Sequence, residues 1–251
     1  MSDVYSAVII AKNEERTIGD CLDSLLQITN DIVVVLDDRT TDNTENIALS
    51  KGARIYKLSW QGFSANKNYG VSHTKNNWIL CPDADEILEK ELIASLKSLA
   101  PDINEIYEFN IQTYFGDYAV NYCGWYPDWN IRLYNKNITK WNDSQVHEKL
   151  VSSQKLKSVK VNGLVKHLSF KDELHMQEKF DYYAKLRASE WIRSKKQPNI
   201  FKQLLGPGFR FFRTYILKLG ILDGIHGYTI AKNEYLLKQK ELHYWKALRD
   251  K

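Results

Sequence analysis

The sequence contains little cysteine, and this limits the kinds of protein it can encode. Cys21, Cys81 and Cys123 are scattered along 251 residues, at spacings that match neither a zinc site nor a disulfide framework. A small fold held together by disulfides and a metal centre held by cysteines are therefore excluded. Because free thiols persist in a reducing compartment, we expect a cytoplasmic protein.

A long apolar run is also missing. No uncharged apolar segment approaches the roughly 20 residues needed to span a bilayer. The first residues, MSDVYSAVII, lack the basic region that is typical of a signal peptide. We therefore expect a protein that is soluble or bound to the inner face of the cytoplasmic membrane.

Charge is unevenly distributed rather than large. The net charge is only +4, and residues 201–251 hold ten Lys or Arg against four Asp or Glu, so the rest of the chain is slightly negative. A slightly negative main body argues against nucleic acid as a partner. The surplus at the end of the chain predicts a basic surface there.

The first hundred residues alternate between fully apolar strands and amphipathic helices. This alternation is typical of βαβ units, which build an α/β fold with a parallel sheet covered on both faces. The predicted strands cover 4–11, 31–38, 53–58 and a segment beginning at Trp78, and the predicted helices cover 14–28, 42–51, 64–75 and 87–99.

The pattern changes after residue 104. Residues 114–141 include nine aromatic side chains, which predicts either a stacking platform for sugars or a small sheet stabilised by its own rings. From Lys171 onward the pattern is helical, with a predicted break at Gly206-Pro207-Gly208. We therefore divide the chain into a domain over 1–170, with halves 1–103 and 104–170, and a helical extension over 171–251.

Carboxylate and amide side chains follow three of the predicted strands. In parallel α/β sheets, ligands bind beyond the carboxyl ends of the strands, so the sequence predicts a site at this edge. The three groups are Asn13-Glu14, Asp37-Asp38 and Asp83 with Asp85.

The third group raises an electrostatic problem. Asp83, Asp85 and Glu86 lie within four residues, and like charges this close repel unless a cation is present. We expect Glu86 and Glu89 to be solvated at the N-terminus of a helix, whose dipole favours negative charge. Asp83 and Asp85 project to the same side of an extended chain, as a shared ligand would require.

The segments VIIAKNEE, VVLDDRTTDNT and CPDADEIL together resemble the inverting family-2 glycosyltransferases of the GT-A fold. The resemblance covers residues 4 to about 170. The later segment GPGFRFFRTYILKLGILDGIHGY is similar to the branch that contains lipopolysaccharide-core β-1,4-glucosyltransferases. The family resemblance implies a mostly parallel sheet flanked by helices, a nucleotide-sugar-binding half and an acceptor half. It also implies a nucleotide-diphosphate sugar donor, UDP-glucose or a similar hexose donor, and a saccharide or lipid-linked saccharide acceptor.

A Mg²⁺ or Mn²⁺ ion that bridges the diphosphate is part of this implication. Hard oxygen ligands such as Asp85 and Asp83 suit these ions. The resemblance makes Asp85 the metal ligand and lets Asp83 contact the ribose or a metal-bound water. His167 completes metal or diphosphate binding, or else is a buried histidine with a structural role.

Other residues are assigned to the nucleotide by the same resemblance. Asp38 matches the position that grips the nucleotide, although Asp37 beside it leaves the choice between the two open. Lys67 either meets the diphosphate or is an exposed helix lysine. The residues expected around the base and ribose are Ala11, Asn13 and Glu14.

The catalytic base is expected in the second half of the chain. Glu148 lies where the family keeps its catalytic carboxylate, and His147 beside it is a candidate to orient it and to contact the acceptor; the alternative is a core-facing His next to a surface Glu. Asp128 is the second candidate, because it lies among aromatic residues. Arg132 either binds an acidic group of the acceptor through its planar fork or forms a structural ion pair. Trp125 and Trp129 are expected to contact the acceptor.

The extension predicts contact with a membrane. Spacing places apolar residues on one helical face, with basic residues on its flanks, as in a helix lying in an anionic membrane interface. The alternative is packing against the catalytic domain. The apolar positions are Phe209, Phe212, Tyr215, Ile216 and Leu219, and the basic ones are Arg210, Arg213 and Lys218.

Two other functions remain as alternatives. A sugar-phosphate nucleotidyltransferase also binds Mg²⁺ on an α/β sheet, but the loop AKNEERT lacks the glycines expected in its phosphate loop. A membrane-surface module that binds nucleotide sugars or glycans without catalysis is the other alternative. The intact Asp83-Ala84-Asp85 argues against it.

Overall fold

The computed structural model describes residues 4–142, 149–195, 198–199 and 203–250. These residues form two compact units: one from residues 1–111 and 128–167, and the other from residues 112–127 and 168–251. Two of the three unit boundaries fall within long strands, and the third lies at the start of another strand. Residues 112–127 belong with the C-terminal helices, which differs from the predicted division at residue 170.

The first unit begins with the predicted alternation of strands and helices. Every predicted element of the first 80 residues is present, and the ends given for these elements differ from the prediction by at most four residues. They are β1 (Tyr5–Ala11), α1 (Ile18–Leu26), β2 (Ile32–Asp37), α2 (Thr44–Ser50), β3 (Arg54–Leu58), α3 (Phe63–Ser72) and β4 (Trp78–Leu80).

The remaining elements of this unit are mostly strands. The predicted helix over 87–99 is wrong at its start, because residues 86–88 form a short strand and the helix follows it. The elements are β5 (Glu86–Leu88), α4 (Lys90–Ser98), β6 (Glu105–Phe115), β7 (Tyr118–Ala119), β8 (Asp128–Asn135), β9 (Thr139–Trp141), β10 (Leu150–Ser152) and β11 (Lys157–Phe170); β7 and the ends of β6 and β11 belong to the second unit.

One sheet contains most of these strands. In the described residues its order is β3-β2-β1-β4-β8-β6-β11-β5, with β7 on β6, while β9 and β10 form a separate hairpin. Pairing is parallel among β3, β2, β1 and β4, but β4 with β8, β6 with β8 and β5 with β11 are antiparallel. The α/β class is therefore confirmed, whereas the sheet is mixed rather than mostly parallel.

The parallel strands are apolar throughout because both faces of the sheet are covered. Along β1, Ala7 and Ile9 pack into a core shared with α1 and α4, while Val8 and Ile10 pack into a second core on the side of α3. Alternate residues of one strand thus enter different cores. This explains why these strands show no polar alternation in the sequence.

Two glycines permit close packing against the sheet. A Cβ on Gly70 of α3 would lie 2.5 Å from Val8 Cγ1, so only glycine lets this helix approach β1 at that distance. Gly163 of β11 has φ 107°, and a Cβ there would lie 2.2 Å from the backbone nitrogen of Leu92 in α4. Both contacts are closer than real Cβ atoms reach.

The second unit is built on two long helices. The predicted helical content is confirmed. The helical run is interrupted at Leu205, and Gly206-Pro207-Gly208 opens the next helix, since proline is tolerated in a first turn. After the short strand β7, its helical elements are α5 (Glu173–Arg193), α6 (Gly206–Phe212), a π-helical turn (Arg213–Leu217), a 3₁₀ turn (Gly220–Asp223) and α7 (Gly224–Arg249).

The core of the second unit joins these helices to residues 112–127. Met176 and Phe180 of α5 and Ile230 of α7 pack with Val120 and Cys123. The pairing of α5 with α7 gives the unit a hydrophobic core of its own. None of the helices in the described ranges combines the length and apolar character that crossing a bilayer requires.

Candidate functional site

Three adjacent parallel strands of the first unit end at the same edge of the sheet. Strand β1 lies between β2 and β4, so the loops after Ala11, Asp37 and Leu80 emerge side by side. The predicted grouping of strand ends is therefore present. This edge is where ligands bind in such sheets.

The loop after β1 is tied to the loop after β2. Asn13 adopts a left-handed backbone, with φ 55°, a conformation that asparagine tolerates better than most residues. Its Oδ1 accepts a hydrogen bond of 2.9 Å from the Thr41 amide, and the Glu14 amide donates one of 2.8 Å to Thr44 Oγ1. The two loops are thereby held together as one surface.

Asp37 and Asp38 have different environments. Asp37 is buried, and its carboxylate accepts hydrogen bonds from the amide, Nε and a terminal nitrogen of Arg39. These Arg39 hydrogen bonds hold the pKa of Asp37 well below its ordinary value, against the opposing effect of burial. Asp38 is exposed and accepts a 2.6 Å hydrogen bond from Ser59 Oγ. The geometry thus favours Asp38 as the residue that meets a ligand.

Arg132 neutralises most of the acidic cluster after β4. Its Nε donates to Glu86 Oε2 at 2.7 Å, and one terminal nitrogen donates to Glu86 Oε1 at 2.6 Å and to Asp83 Oδ2 at 2.7 Å. Glu86 is fully buried, and its Oε2 also accepts the Asp83 amide at 3.1 Å. The expectation that Glu86 is solvated is wrong, while Glu89 is exposed at the start of α4, as expected.

A β-bulge places Arg132 where it can do this. In the pairing of β8 with β6, Leu133 and Ile131 face the consecutive residues Tyr107 and Glu108, which leaves Arg132 as the extra residue. A bulge interrupts the alternation of side chains and redirects the extra one. The side chain of Arg132 therefore does not follow the alternation of its strand, and it reaches the carboxylates that follow β4.

Lys67 is the second cation of the cluster. It projects from α3, its residue is only 1% exposed, and its Nζ lies 3.7 Å from Asp83 Oδ1 and 4.6 Å from the ring centre of Trp141. The alternative of an exposed helix lysine is therefore wrong. A buried ammonium requires such partners, because removing a charge from water is costly.

These contacts push the pKa values of the two carboxyls apart. For Asp83, burial raises the pKa, but Arg132, Lys67 and His167 outweigh it and keep the pKa below its ordinary value. For Glu86, burial dominates, and its pKa is raised although Arg132 opposes this. Asp83 is thus held as an anion at the surface of the cluster, above a buried Glu86.

Asp85 is paired with His167 instead of with Arg132. The distance from His167 Nε2 to Asp85 Oδ1 is 3.3 Å, and His167 on β11 lies opposite Glu86 on β5 in the antiparallel register. Burial lowers the pKa of His167, but the hydrogen bond and charge of Asp85 outweigh it, so the pKa is raised. Two residues far apart in sequence thus present one carboxylate and one imidazole together.

This pair is the part of the site that fits a divalent cation. Carboxylate oxygen and imidazole nitrogen both suit Mn²⁺, and Mg²⁺ is commonly held by one or two carboxylates together with substrate phosphates. No group of three or more His, Cys, Asp or Glu side chains within the described ranges is arranged to hold a metal alone. Asp83, which is bound to Arg132 and Lys67, fits a contact with substrate better than direct metal binding.

The residues predicted for catalysis and for acceptor binding have different outcomes. Glu148 and His147 fall outside the described residues, so their predicted roles rest on the sequence. Asp128 is exposed at the start of β8 and accepts a 2.8 Å hydrogen bond from Asn130 Nδ2. Arg132 takes the structural ion-pair role, so nothing in its geometry supports contact with the acceptor.

The two candidate acceptor tryptophans lie in different units. Trp129, in the first unit, stacks under Lys160, whose Nζ is 4.5 Å from the ring centre. Trp125, in the second unit, packs against Phe170 with ring centres 5.5 Å apart. Both rings are half-buried. Each ring therefore already has a packing partner, and contact with an acceptor stays a prediction for both.

The sequence carries a signal that favours the ion-pair alternative for Arg132. Arg132 is a lone charge in the otherwise apolar or amide-bearing run NIRLYN, and a charge in a buried strand almost always has a partner. That rule identifies Arg132 as paired but does not say with which carboxylate, since Glu86 lies 46 residues away.

An α/β sheet with charged, carboxylate-rich loops at its parallel strand ends has the architecture of a ligand-binding protein. The model of the family described as glycosyl transferase family 2 matches residues 6–150, more than half of the chain, which contain the strand-end loops described above. The chain therefore belongs to glycosyl transferase family 2.

Similar proteins cover nearly the whole chain. A Rickettsia typhi protein named an uncharacterized glycosyltransferase is 27% identical over 242 residues, covering 89% of this chain and 80% of its own. The lipopolysaccharide core biosynthesis glycosyltransferase LpsC of Rhizobium meliloti is 27% identical over 252 residues, covering 94% and 90%. A crystal structure of S. aureus TarS 1-349 has a TM-score of 0.48 at 13% identity, covering 98% and 91%. This last likeness does not bear on activity.

Proposed function

We propose that this family-2 glycosyltransferase is metal-dependent and inverting. The donor is a nucleotide-diphosphate hexose, UDP-glucose in our proposal, and the acceptor is a saccharide or lipid-linked saccharide of the lipopolysaccharide core. Family membership supports the transferase class, and the name of the LpsC relative supports the acceptor class. In this proposal the sugar is transferred at the cytoplasmic face of an anionic membrane.

One observation carries the proposal. At the carboxyl end of the parallel strands, Asp85 pairs with His167 of β11, and Asp83, two residues before Asp85, is held by Lys67 and Arg132. Asp85 and His167 would hold Mg²⁺ or Mn²⁺, which supplies positive charge for the departing diphosphate. Lys67 is placed to add a fixed positive charge beside it.

The protein's own groups supply the remaining steps. Asp38 and the Asn13-Glu14 loop orient the nucleotide, and Asp83 accepts a hydrogen bond from ribose or a bound water. A carboxylate takes the proton of the acceptor hydroxyl as its oxygen attacks the anomeric carbon from the face opposite the diphosphate. We propose Glu148 as this carboxylate, with Asp128 as the second candidate. A single displacement inverts the configuration of the transferred sugar.

The test measures binding and turnover separately. Thermal unfolding is followed with a panel of nucleotide sugars, with and without Mn²⁺, since a ligand that binds the folded state raises Tm. We expect the largest rise with UDP-glucose plus Mn²⁺, and we expect Asp85→Asn to lose the metal-dependent part of that rise. Glu89→Gln is the matched control, because it removes an exposed carboxylate four residues away and should behave like the parent protein.

The outcomes separate the candidate functions. Metal-enhanced binding that persists in Asp85→Asn would place the metal elsewhere and overturn the assignment. Binding of UDP-glucose without release of UDP, in the presence of acceptor and Mn²⁺, would favour a non-catalytic module. Release of pyrophosphate from UTP and a sugar phosphate would favour a nucleotidyltransferase.

A further inference from the structure

The second unit exposes a cluster of aliphatic side chains between α6 and α7. Each of these side chains is between 50% and 71% exposed, although the residues are large and apolar. We call this cluster the apolar tip, and it consists of Leu217, Leu219, Ile221, Leu222 and Ile225. A group of exposed aliphatic side chains this dense marks an interaction surface.

The backbone fixes this exposure. Leu219 is in the left-handed region with φ 56°, and Gly224 has φ 59°, so the helical backbone is interrupted on both sides of the 3₁₀ turn. A Cβ on Gly227 would lie 1.7 Å from the carbonyl oxygen of Gly220, so the start of α7 packs directly on the turn. The two interruptions and the glycine contact define the backbone of the tip.

The acidic residue of this segment is turned inward. Asp223 is buried, and its carboxylate accepts hydrogen bonds from Tyr118 Oη at 2.9 Å and from the amides of Asn121 and Tyr122 at 3.2 and 2.9 Å. The polar side chain thus points into the protein while its aliphatic neighbours point to solvent. This is the reverse of the arrangement that a surface exposed only to water requires.

Within residues 203–228, the exposed charges all have one sign. Between residues 203 and 228, Arg213 and Lys218 are exposed, Arg210 pairs with Glu234 of α7, and Asp223 is buried. The exposed aromatic residues Phe209, Phe212 and Tyr228 belong to the same stretch. Apolar side chains in a segment whose exposed charges are positive complement an anionic lipid surface, which offers a negative headgroup layer above an apolar one.

We propose that the apolar tip inserts into the headgroup region of an anionic membrane, with Arg213 and Lys218 at the lipid phosphates. The surface differs from the continuous helical face predicted over 209–219. The α-helix ends at Phe212, and the ring of Tyr215 packs with those of Phe211 and Tyr228. The proposal does not depend on the proposed activity, since it concerns only the second unit's surface.

The first experiment removes apolar surface. The full chain is sedimented with vesicles of phosphatidylcholine and phosphatidylglycerol, and Leu222→Gln/Ile225→Gln is compared with the parent protein. We expect at least about a tenfold weaker partition, because two aliphatic side chains no longer enter the lipid. The matched control is Leu174→Gln/Leu248→Gln, which changes exposed leucines on α5 and α7 and should partition normally.

The second experiment removes charge. Arg213→Gln/Lys218→Gln should weaken binding to the same vesicles about tenfold at low salt. Binding of the parent protein should fall as salt screens the surface. The exposed lysines of the control Lys140→Gln/Lys155→Gln lie in the first unit, so this variant should bind as the parent does.

Three results would overturn the proposal. They are failure of the parent protein to bind anionic vesicles at low salt, equal loss in the control pairs, and normal binding by both tip variants. Analytical ultracentrifugation without lipid tests whether a second copy of the chain, and not a membrane, covers the tip. A dimer of the parent protein that dissociates in Leu222→Gln/Ile225→Gln would assign the tip to a second copy of the chain. Unchanged circular dichroism confirms that the variants fold.

Discussion

Replacing Arg132 with methionine should strongly destabilise the first unit. Arg132 makes three charge-assisted hydrogen bonds of 2.6–2.7 Å to Glu86 and Asp83, and the Glu86 carboxylate is fully buried. Methionine keeps much of the side-chain volume but leaves Glu86 as an uncompensated buried charge. Breaking a buried pair in this way costs about 3–5 kcal/mol, a large fraction of the stability of an ordinary domain.

A double-mutant cycle separates the ion pair from the loss of packing. In Arg132→Met/Glu86→Met both buried charges are gone, and a well-packed apolar pair is often nearly as stable as the ion pair it replaces. Asp83 is partly exposed and keeps Lys67 as a partner, so it can stay charged. We therefore expect the double variant to recover at least about half of the stability that Arg132→Met loses.

The measurement is the free energy of unfolding in urea, followed by circular dichroism and fluorescence to check that the transitions coincide. Lys157→Met is the matched control, because Lys157 is a mostly exposed cation paired with Glu105 in the same unit. It should change stability little. The reasoning is refuted if Arg132→Met is as stable as this control, or if the double variant is less stable than the single one.

Three further predictions concern the base, the packing and acid stability. Glu148→Gln should bind UDP and metal normally but turn over at least roughly 100-fold more slowly; near-normal turnover, with a collapse in Asp128→Asn, would transfer the role of base. Gly163→Ala should lower the free energy of unfolding by about 2 kcal/mol or more, because its Cβ meets the Leu92 backbone and its φ is strained; an unchanged urea midpoint would contradict this. Burial raises the pKa of Asp31, but its hydrogen bonds lower the pKa by more, so the pKa in the folded state is below the ordinary value of 3.8. Asp31 therefore stabilises the fold above pH 3.8, and this stabilisation is lost as the pH falls through the folded-state pKa. Asp31→Asn should therefore flatten the fall of Tm with acid, and an unchanged pH profile would count against it.

The sequence by itself determined the local elements of the first unit. Apolar strands and helical spacing over residues 4–80 predict each element, because burial of both sheet faces leaves an uninterrupted apolar pattern. The strand-end groups at Asn13, Asp37 and Asp83 were also predictable, since parallel βαβ units bring their carboxyl ends to one edge. The family followed from these same segments, which lie in the region that the family model matches.

Tertiary structure alone decided what the charged residues do. Glu86 is a buried partner and not a solvated helix residue, because β5 pairs with β11 and a bulge in β8 aims Arg132 at it. The pairing of His167 with Asp85 depends on the same antiparallel register. Sequence periodicity carries no information about which distant strands meet.

The same distinction applies to the second unit. Helical spacing predicts a continuous face over residues 209–219, but the helical backbone ends at Leu217, and the 3₁₀ turn that follows exposes Leu222 and Ile225 in addition. The 3₁₀ turn is held by the buried carboxylate of Asp223 and its partners on residues 118–122, about a hundred positions earlier. Local sequence fixes which residues are apolar, and long-range contacts fix which of them remain exposed.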